Sequence, residues 1–235
     1  MRINQYISRC GVASRREADR LIEAGEVMID GRQARPGDRV TDENTVTVSG
    51  NEIRPPEEHV VMAYYKPVGV TCSERDAHAD RLVTDEVKSD RRLTYAGRLD
   101  KDSEGLLIMT DDGDLIDAMM RGSAKHEKEY EVTLYSPISD EQLGRMCRGI
   151  YIEELGVRTR PCIITRTGKN SFIVILTQGL NRQIRRMCRA VGARIRHLRR
   201  TRVMNIALGD LQVGASRNLT PEEKKELYLQ CGLHR

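Results

Sequence analysis

Apolar residues recur along this chain with two different spacings. Near the start, Ala18, Leu21 and Ile22 share one face of a helix. Ser14 opens that helix, with Glu17 three residues on completing a capping box, and Gly25 closes it. Arg2 to Cys10 forms a shorter helix stopped at Gly11. Val27 and Ile29 alternate toward a turn at Asp30-Gly31, and Val46-Thr47-Val48 supplies a further strand. Residues 51–59 hold Pro55-Pro56 and no periodic apolar pattern, so they read as a linker.

Beyond residue 59 the spacing is mostly that of strands. Val60 to Tyr65 is an apolar strand ending in a turn at Lys66-Pro67-Val68-Gly69, and Gly105 to Met109 is a short run suited to a buried strand. Asp111-Asp112-Gly113 turns the chain into a short helix carrying Leu115, Met119 and Met120. Glu129 to Leu134 alternates as a strand. Ser139 with Gln142 opens another helix, closed by Gly149, and strands follow near Pro161–Thr165 and Ser171–Thr177. Asn181 to Val191 is an amphipathic helix with Ile184, Met187, Cys188 and Val191 on one face, capped by Gly192. Arg194 to Val203 reads as a strand with its arginines on the exposed side. Thr220, Pro221 and Glu223 form the capping box of a final helix. Many strands and few, short helices predict an α+β protein. Its parts are a small αβ module over residues 1–50, a linker over 51–59, and a domain over 60–235. That domain carries a mixed, mainly antiparallel sheet flanked by short helices.

Composition sharpens this picture. Of 235 residues, 39% are hydrophobic and 31% charged, Trp is absent and Phe172 is the single Phe, so aliphatic side chains build the core. No apolar run reaches the length of a membrane span, and the N-terminus lacks the apolar centre of a secretory signal. Cys10, Cys72, Cys147, Cys162, Cys188 and Cys231 are scattered without metal-ligand spacing, which fits free thiols in a reducing cytoplasm and predicts neither zinc nor disulfides. Monomer is the default state.

Charge is distributed unevenly. The net charge is +4, yet no Asp or Glu lies between Leu155 and Gly209, a segment with 13 basic residues. The remainder is therefore net acidic. Such asymmetry points to a polyanion, and nucleic acid is the polyanion a soluble cytoplasmic protein most often meets. Arg182, Arg186, Arg189, Arg200 and Arg202 are the candidate phosphate contacts in this segment. Arg9, Arg15, Arg16 and Arg20 cluster in the N-terminal helix pair, where nearby Glu17, Asp19 and Glu23 offer the alternative of intrahelical ion pairs.

The run AGRLDKDSEGLLIMT, Ala96 to Thr110, sets Asp100 beside an apolar strand. A carboxylate there needs a counter-charge or a purpose. This run resembles the GRLD motif of the RsuA-type pseudouridine synthase family, and its motif Asp matches Asp100. YYKPVGV, KEYEV and QGLNRQIRRM follow the family order, and residues 1–50 are similar to the S4 RNA-binding domain. The resemblance spans nearly the whole chain.

It implies isomerisation of a uridine in ribosomal RNA. The C–N glycosidic bond breaks and a C–C bond forms from the other edge of the same base, with no redox change and no cofactor or metal. Walker, dinucleotide and metal-ligand motifs are absent from the sequence. Asp100 would act as nucleophile at C1′ or as base on a sugar proton, and the sequence leaves both open. The resemblance further implies that Arg185 pairs with Asp100 and that Tyr130 stacks on the extracted uracil, a contact of about 1–3 kcal/mol. It also implies that Arg98 fills the gap left by the flipped base, while the S4 likeness assigns Arg9, Arg15, Arg16 and Arg20 to RNA. Asp102 reads more simply as a turn residue.

Small-subunit enzymes of this branch usually show YHQVKRM where this chain has NRQIRRM, which favours 23S over 16S rRNA as the target; tRNA is a further alternative. A non-catalytic S4-type RNA-binding or ribosome-assembly protein would account for the arginines but not for Asp100 with Arg185 and Tyr130. A two-carboxylate glycoside hydrolase using Asp100 and Asp102 lacks the sugar-binding aromatics.

Overall fold

A computed structural model describes residues 1–41, 43–73 and 80–233. The chain divides into two compact units. One comprises Met1–Val60 with Ser89–Thr94 and Thr110–Gly113; the other comprises Val61–Lys88, Tyr95–Met109 and Asp114–Arg235.

In the first unit, α1 (Ile3–Arg9) and α2 (Arg15–Glu23) precede β1 (Val27–Ile29), β2 (Arg32–Gln33), β3 (Val46–Val48) and β4 (Asn51–Ile53). Ser14 caps α2 by accepting from the Glu17 amide, one half of the expected capping box. The β1–β2 turn places Asp30 and Gly31 both at positive φ, +50° and +77°, the conformation of a tight hairpin. The sheet order is β2-β1-β3-β4, and Ile7, Ala18, Val27 and Val46 are fully buried against it. The expected linker is shorter than the sequence suggested. Asn51–Ile53 pairs antiparallel with β3, because Ser49-Gly50 turns the chain straight back. Segments 89–94 and 110–113 also pack with this unit, around a polar cluster. The buried Asp111 carboxylate accepts from the Val60 amide at 2.9 Å and from Arg91 at 3.1 Å, and lies 3.2 Å from His59 Nδ1.

The second unit contains β5 (Val61–Lys66), α3 (Val83–Glu86), β6 (Thr94–Ala96), β7 (Glu104–Thr110), α4 (Gly113–Met120), β8 (Lys128–Leu134), α5 (Asp140–Cys147), β9 (Tyr151–Ile152) and β10 (Val157–Arg158). It continues with β11 (Ile163–Arg166), β12 (Ser171–Leu176), α6 (Gln183–Ala190), β13 (Ile195–Val203), β14 (Ile206–Ala207), β15 (Ser216–Asn218) and α7 (Pro221–Gln230). Its main sheet runs β11-β12-β8-β13-β7-β5-β15. The β13–β7 pair is parallel, whereas β11–β12, β12–β8, β8–β13 and β5–β15 are antiparallel, as expected for the α+β class. β7 is buried along nearly its whole length, which explains its unbroken apolar run.

One apolar core gathers around β5, β7, α4 and α7, including Leu106, Ile108, Leu115 and Leu227. Another gathers around β8, β12, α5 and α6, including Val132, Phe172, Ile184 and Met187. The capping boxes expected at Ser139 and Thr220 are both present. α6 begins later than expected, at Gln183, because Arg182 adopts a left-handed φ of +50°.

The contact between β7 and β13 leaves no room for a side chain. Gly105 has φ +112°, and a Cβ there would lie 2.3 Å from the Arg200 carbonyl oxygen and 2.6 Å from its amide nitrogen. Backbone atoms cannot yield as a flexible side chain would. Gly105→Ala should therefore cost about 2 kcal/mol or more in urea unfolding, from strain and overpacking together; a cost below 0.5 kcal/mol or so would contradict this close approach.

Asp111 makes a second expectation. Burial pushes its carboxyl up, but the bonds from His59, Arg91 and the Val60 amide outweigh that and hold it below its ordinary range. A depressed folded-state pKa contributes stability above the unfolded value, and that contribution is lost as pH falls through the folded value. The stability difference between wild type and Asp111→Asn, on the order of 1–3 kcal/mol, should be full at neutral pH and shrink in acid. Urea titrations across that range measure it.

Candidate active site

The segment Gly97 to Ser103, between β6 and β7, carries Asp100 and is braced from several sides. The Ser103 amide donates to the Asp100 carbonyl at 3.1 Å, closing a turn, and the Gly69 amide donates to the Lys101 carbonyl at 2.8 Å. The Lys66-Pro67-Val68-Gly69 turn thus braces the segment from one side; Lys66 is fully buried and donates to the Pro67 carbonyl. From β13, Arg200 Nε donates to the Leu106 carbonyl at 2.7 Å and Arg200 Nη1 reaches the Arg98 carbonyl at 3.5 Å. Arg185 Nη2 donates to the Asp102 carbonyl at 2.7 Å and to Ser103 Oγ at 3.1 Å.

These braces border a cleft of about 690 Å³, a size typical of sites for small ligands. Asp100, Tyr130, Arg185, Arg98, Arg182 and Arg200 all line it. Residues up to 102 positions apart in sequence therefore meet at one site. Lys128 lines it too, and sequence reasoning passed over it. Its signal was available: two residues before Tyr130 on the same strand, it must share Tyr130's face.

The ion pairs differ from the simplest expectation. Arg185 Nε lies 4.0 Å from Asp100 Oδ2, while Arg182 Nη1 is nearer at 3.6 Å. Asp102, taken from the sequence as a turn residue, holds the stronger pairing. It accepts two bonds from Arg182, at 2.7 and 3.2 Å, and lies 3.3 Å from Arg185. Arg185 Nε is buried without a hydrogen-bond partner. Asp100 is 31% exposed and is left with two cations at ion-pair distance and no direct bond from either. Such a carboxylate stays available to attack an electrophilic carbon or take a proton.

Several arginines are placed differently from the sequence reading. Arg200 is 1% exposed, so it is no surface contact for phosphate; it points inward because it lies opposite Tyr130 in the β8–β13 register, on the core-facing side. The remaining β13 arginines are not uniformly free: Arg199 pairs with Glu131, and Arg202 with Glu127 at 2.9 Å. Arg186 and Arg189 both pair with Glu154, at 3.4 and 3.1 Å. In the other unit Arg15, Arg16 and Arg20 are exposed, Arg20 lying 3.5 Å from Glu17, and Arg9 is half-buried. Among the described residues, no group of three or more His, Cys, Asp or Glu side chains could hold a metal ion. No helix there is long and apolar enough to cross a membrane.

Comparison with known proteins bears directly on this cleft. Residues 60–190 match the RNA pseudouridylate synthase family, and residues 1–46 match the S4 domain. The chain belongs to the RNA pseudouridylate synthase family. It is 43% identical over 230 residues to the dual-specificity RNA pseudouridine synthase RluF of Escherichia coli (strain K12), covering 97% of this chain and 78% of that protein. It is 34% identical to the ribosomal large subunit pseudouridine synthase B of Yersinia pestis, over 88% of this chain and 68% of that one. A crystal structure of a pseudouridylate synthase superposes with a TM-score of 0.72 at 25% identity, covering 97% of this chain and 99% of that one. This pseudouridine synthase acts on RNA and carries an S4 RNA-binding domain.

The pairing within the synthase cleft can be measured. Partial burial pushes the Asp102 carboxyl up, but the Arg182 hydrogen bonds and the Arg185 and Arg182 charges outweigh it and hold it below the ordinary carboxylate range. In Arg182→Ala, the Asp102 carboxyl carbon followed by NMR should titrate at higher pH than in wild type. An unmoved titration would mean that the bidentate pair does not form in solution.

Proposed function

We propose that Asp100 is the carboxylate acting at the ribose of a flipped-out uridine, with Tyr130 stacking on the base and Arg185 supplying the neighbouring positive charge. One observation carries this reading: Asp100, Tyr130 and Arg185 line a single cleft although they come from three separate elements. Arg98, exposed at the same cleft, is suited to occupy the space the base vacates. Arg182 helps hold the acidic segment in place through Asp102. Exposed Arg15, Arg16 and Arg20 of the S4 domain, with Arg9 beside them, supply phosphate contacts that position the RNA without reading its sequence. Arg186, Arg189 and Arg202 add contacts once their acidic partners are displaced.

The target is a uridine of 23S rRNA. NRQIRRM in place of YHQVKRM supports the large subunit, as does the name of the Yersinia relative. The words "dual-specificity" in the name of the Escherichia relative support a second RNA substrate, for which tRNA is the candidate. The protein works as a monomer in the cytoplasm, where its six unpaired thiols stay reduced.

The decisive variant is Asp100→Asn. It should bind RNA within about threefold of wild type yet make no pseudouridine, a loss of at least ~10⁴ in rate if the carboxylate performs the chemistry. Pseudouridine mapping of 23S rRNA and tRNA from cells carrying only this variant should show one or a few vanished sites. Isomerisation at the wild-type rate by Asp100→Asn would overturn the assignment.

A further inference from the structure

The cleft holds more positive charge than its acidic residues balance, and part of it is buried. Arg200 is 1% exposed, and while Nε and Nη1 serve backbone carbonyls, Nη2 is buried with no hydrogen-bond partner. Leaving such a donor unmade in the interior is costly unless a partner arrives. Lys128 lines the same cleft, half-buried at the start of β8. Burial and then the Arg200 charge pull its ammonium below the usual range, and among the described residues no carboxylate acts on it in the opposite sense. Two like charges close together in a poorly hydrated place attract an anion strongly.

Their placement says which anion. Lys128 and Tyr130 share a face of β8, and Arg200 lies directly opposite Tyr130 in the antiparallel register. A base stacked on the Tyr130 ring therefore has both cations beside it. Arg200 sits at the sheet, deeper than the exposed Arg98, where a flipped base reaches and its phosphates do not.

Breaking the C1′–N1 bond leaves the electron pair on N1, and the uracil departs as an anion with charge spread over N1, O2 and O4. When C5 then bonds to C1′, the anion's electron pair makes that bond; Asp100 leaves C1′ if it was the nucleophile, or returns the sugar proton if it was the base. The base, now neutral, loses its C5 proton and gains one at N1. We infer that Lys128 and Arg200 form an electrostatic cradle for the detached uracil anion, stabilising it as it leaves and retaining it while it turns. This rests on the cleft being the reacting site, as proposed for Asp100.

Leaving-group acidity provides the test, because 5-fluorouracil departs as a more stable anion than uracil and so needs less help. Transcripts of 23S rRNA and tRNA made with uridine or with 5-fluorouridine are compared under single turnover, using whichever RNA the wild-type enzyme modifies. Consumption of the N-glycoside is read after nuclease digestion. Lys128→Met should slow the uridine transcript roughly 100-fold but the 5-fluorouridine transcript by less than about tenfold. Lys128→Arg should restore most of the loss, and Arg200→Lys should show the same substrate dependence. A variant that slows both transcripts equally, or neither, overturns the cradle while leaving the Asp100 assignment intact. Activity in Asp100→Asn overturns that assignment and the cradle with it.

Discussion

The close approach of β7 and β13 at Gly105 and Arg200 is the constraint on which the catalytic unit depends. Because the two strands run parallel, no hairpin can join them, and their register must be fixed by side chains and by the absence of one. Gly105 supplies the absence. The Arg200 guanidinium then lies beneath the chain and bonds to carbonyls on either side of the Asp100 turn. A single contact thereby joins the strand that ends one core to the strand that borders the other, and also holds the acidic loop above the cleft.

That arrangement explains why the two carboxylates of the loop behave differently. Asp102 takes the bidentate bond from Arg182, so that guanidinium is committed and ordered. Asp100, two residues away, sits 3.6 and 4.0 Å from cations that are already engaged elsewhere. A carboxylate fully bonded to arginine is a poor base and a poor nucleophile, since reaction must first break those bonds. With Asp100 as the proposed reacting carboxylate, Asp102 would hold the arginines beside it without letting them quench it. The unpartnered Nε of Arg185 fits the same logic, because a donor left unmade in the resting site can be used when charge develops there.

Most of this was legible in the sequence, and the exceptions have physical causes. Helices with side-chain caps at Ser14, Ser139 and Thr220 start where their capping residues dictate. Two-residue strands such as β9, β10 and β14 carry too few positions to show a period in the sequence. The sequence pattern extends α6 back to Asn181 because nothing in the identity of Arg182 announces a left-handed backbone. Arg200 was misplaced because arginine is normally a surface residue and because β13 carries a register shift between Arg200 and Arg202. A bulge breaks the alternation that would otherwise sort inward from outward residues. The pairing of Asp102 depends on side chains 80 positions away, which local turn chemistry cannot report.

The same ion pairs bear on how a protein of net charge +4 engages a polyanion. Arg186 and Arg189 share Glu154, and Arg202 is flanked by Glu127 and Glu129. Glu154 and Glu127 are more than 40% exposed, so their pairs contribute little to stability. Exchanging such a carboxylate for an RNA phosphate costs correspondingly little, and it replaces a partner that water and salt already compete for with one fixed in a dense row of charge. Without RNA, those glutamates cover Arg186, Arg189 and Arg202. Inside the cleft, among the described residues, no carboxylate pairs with Lys128 or Arg200.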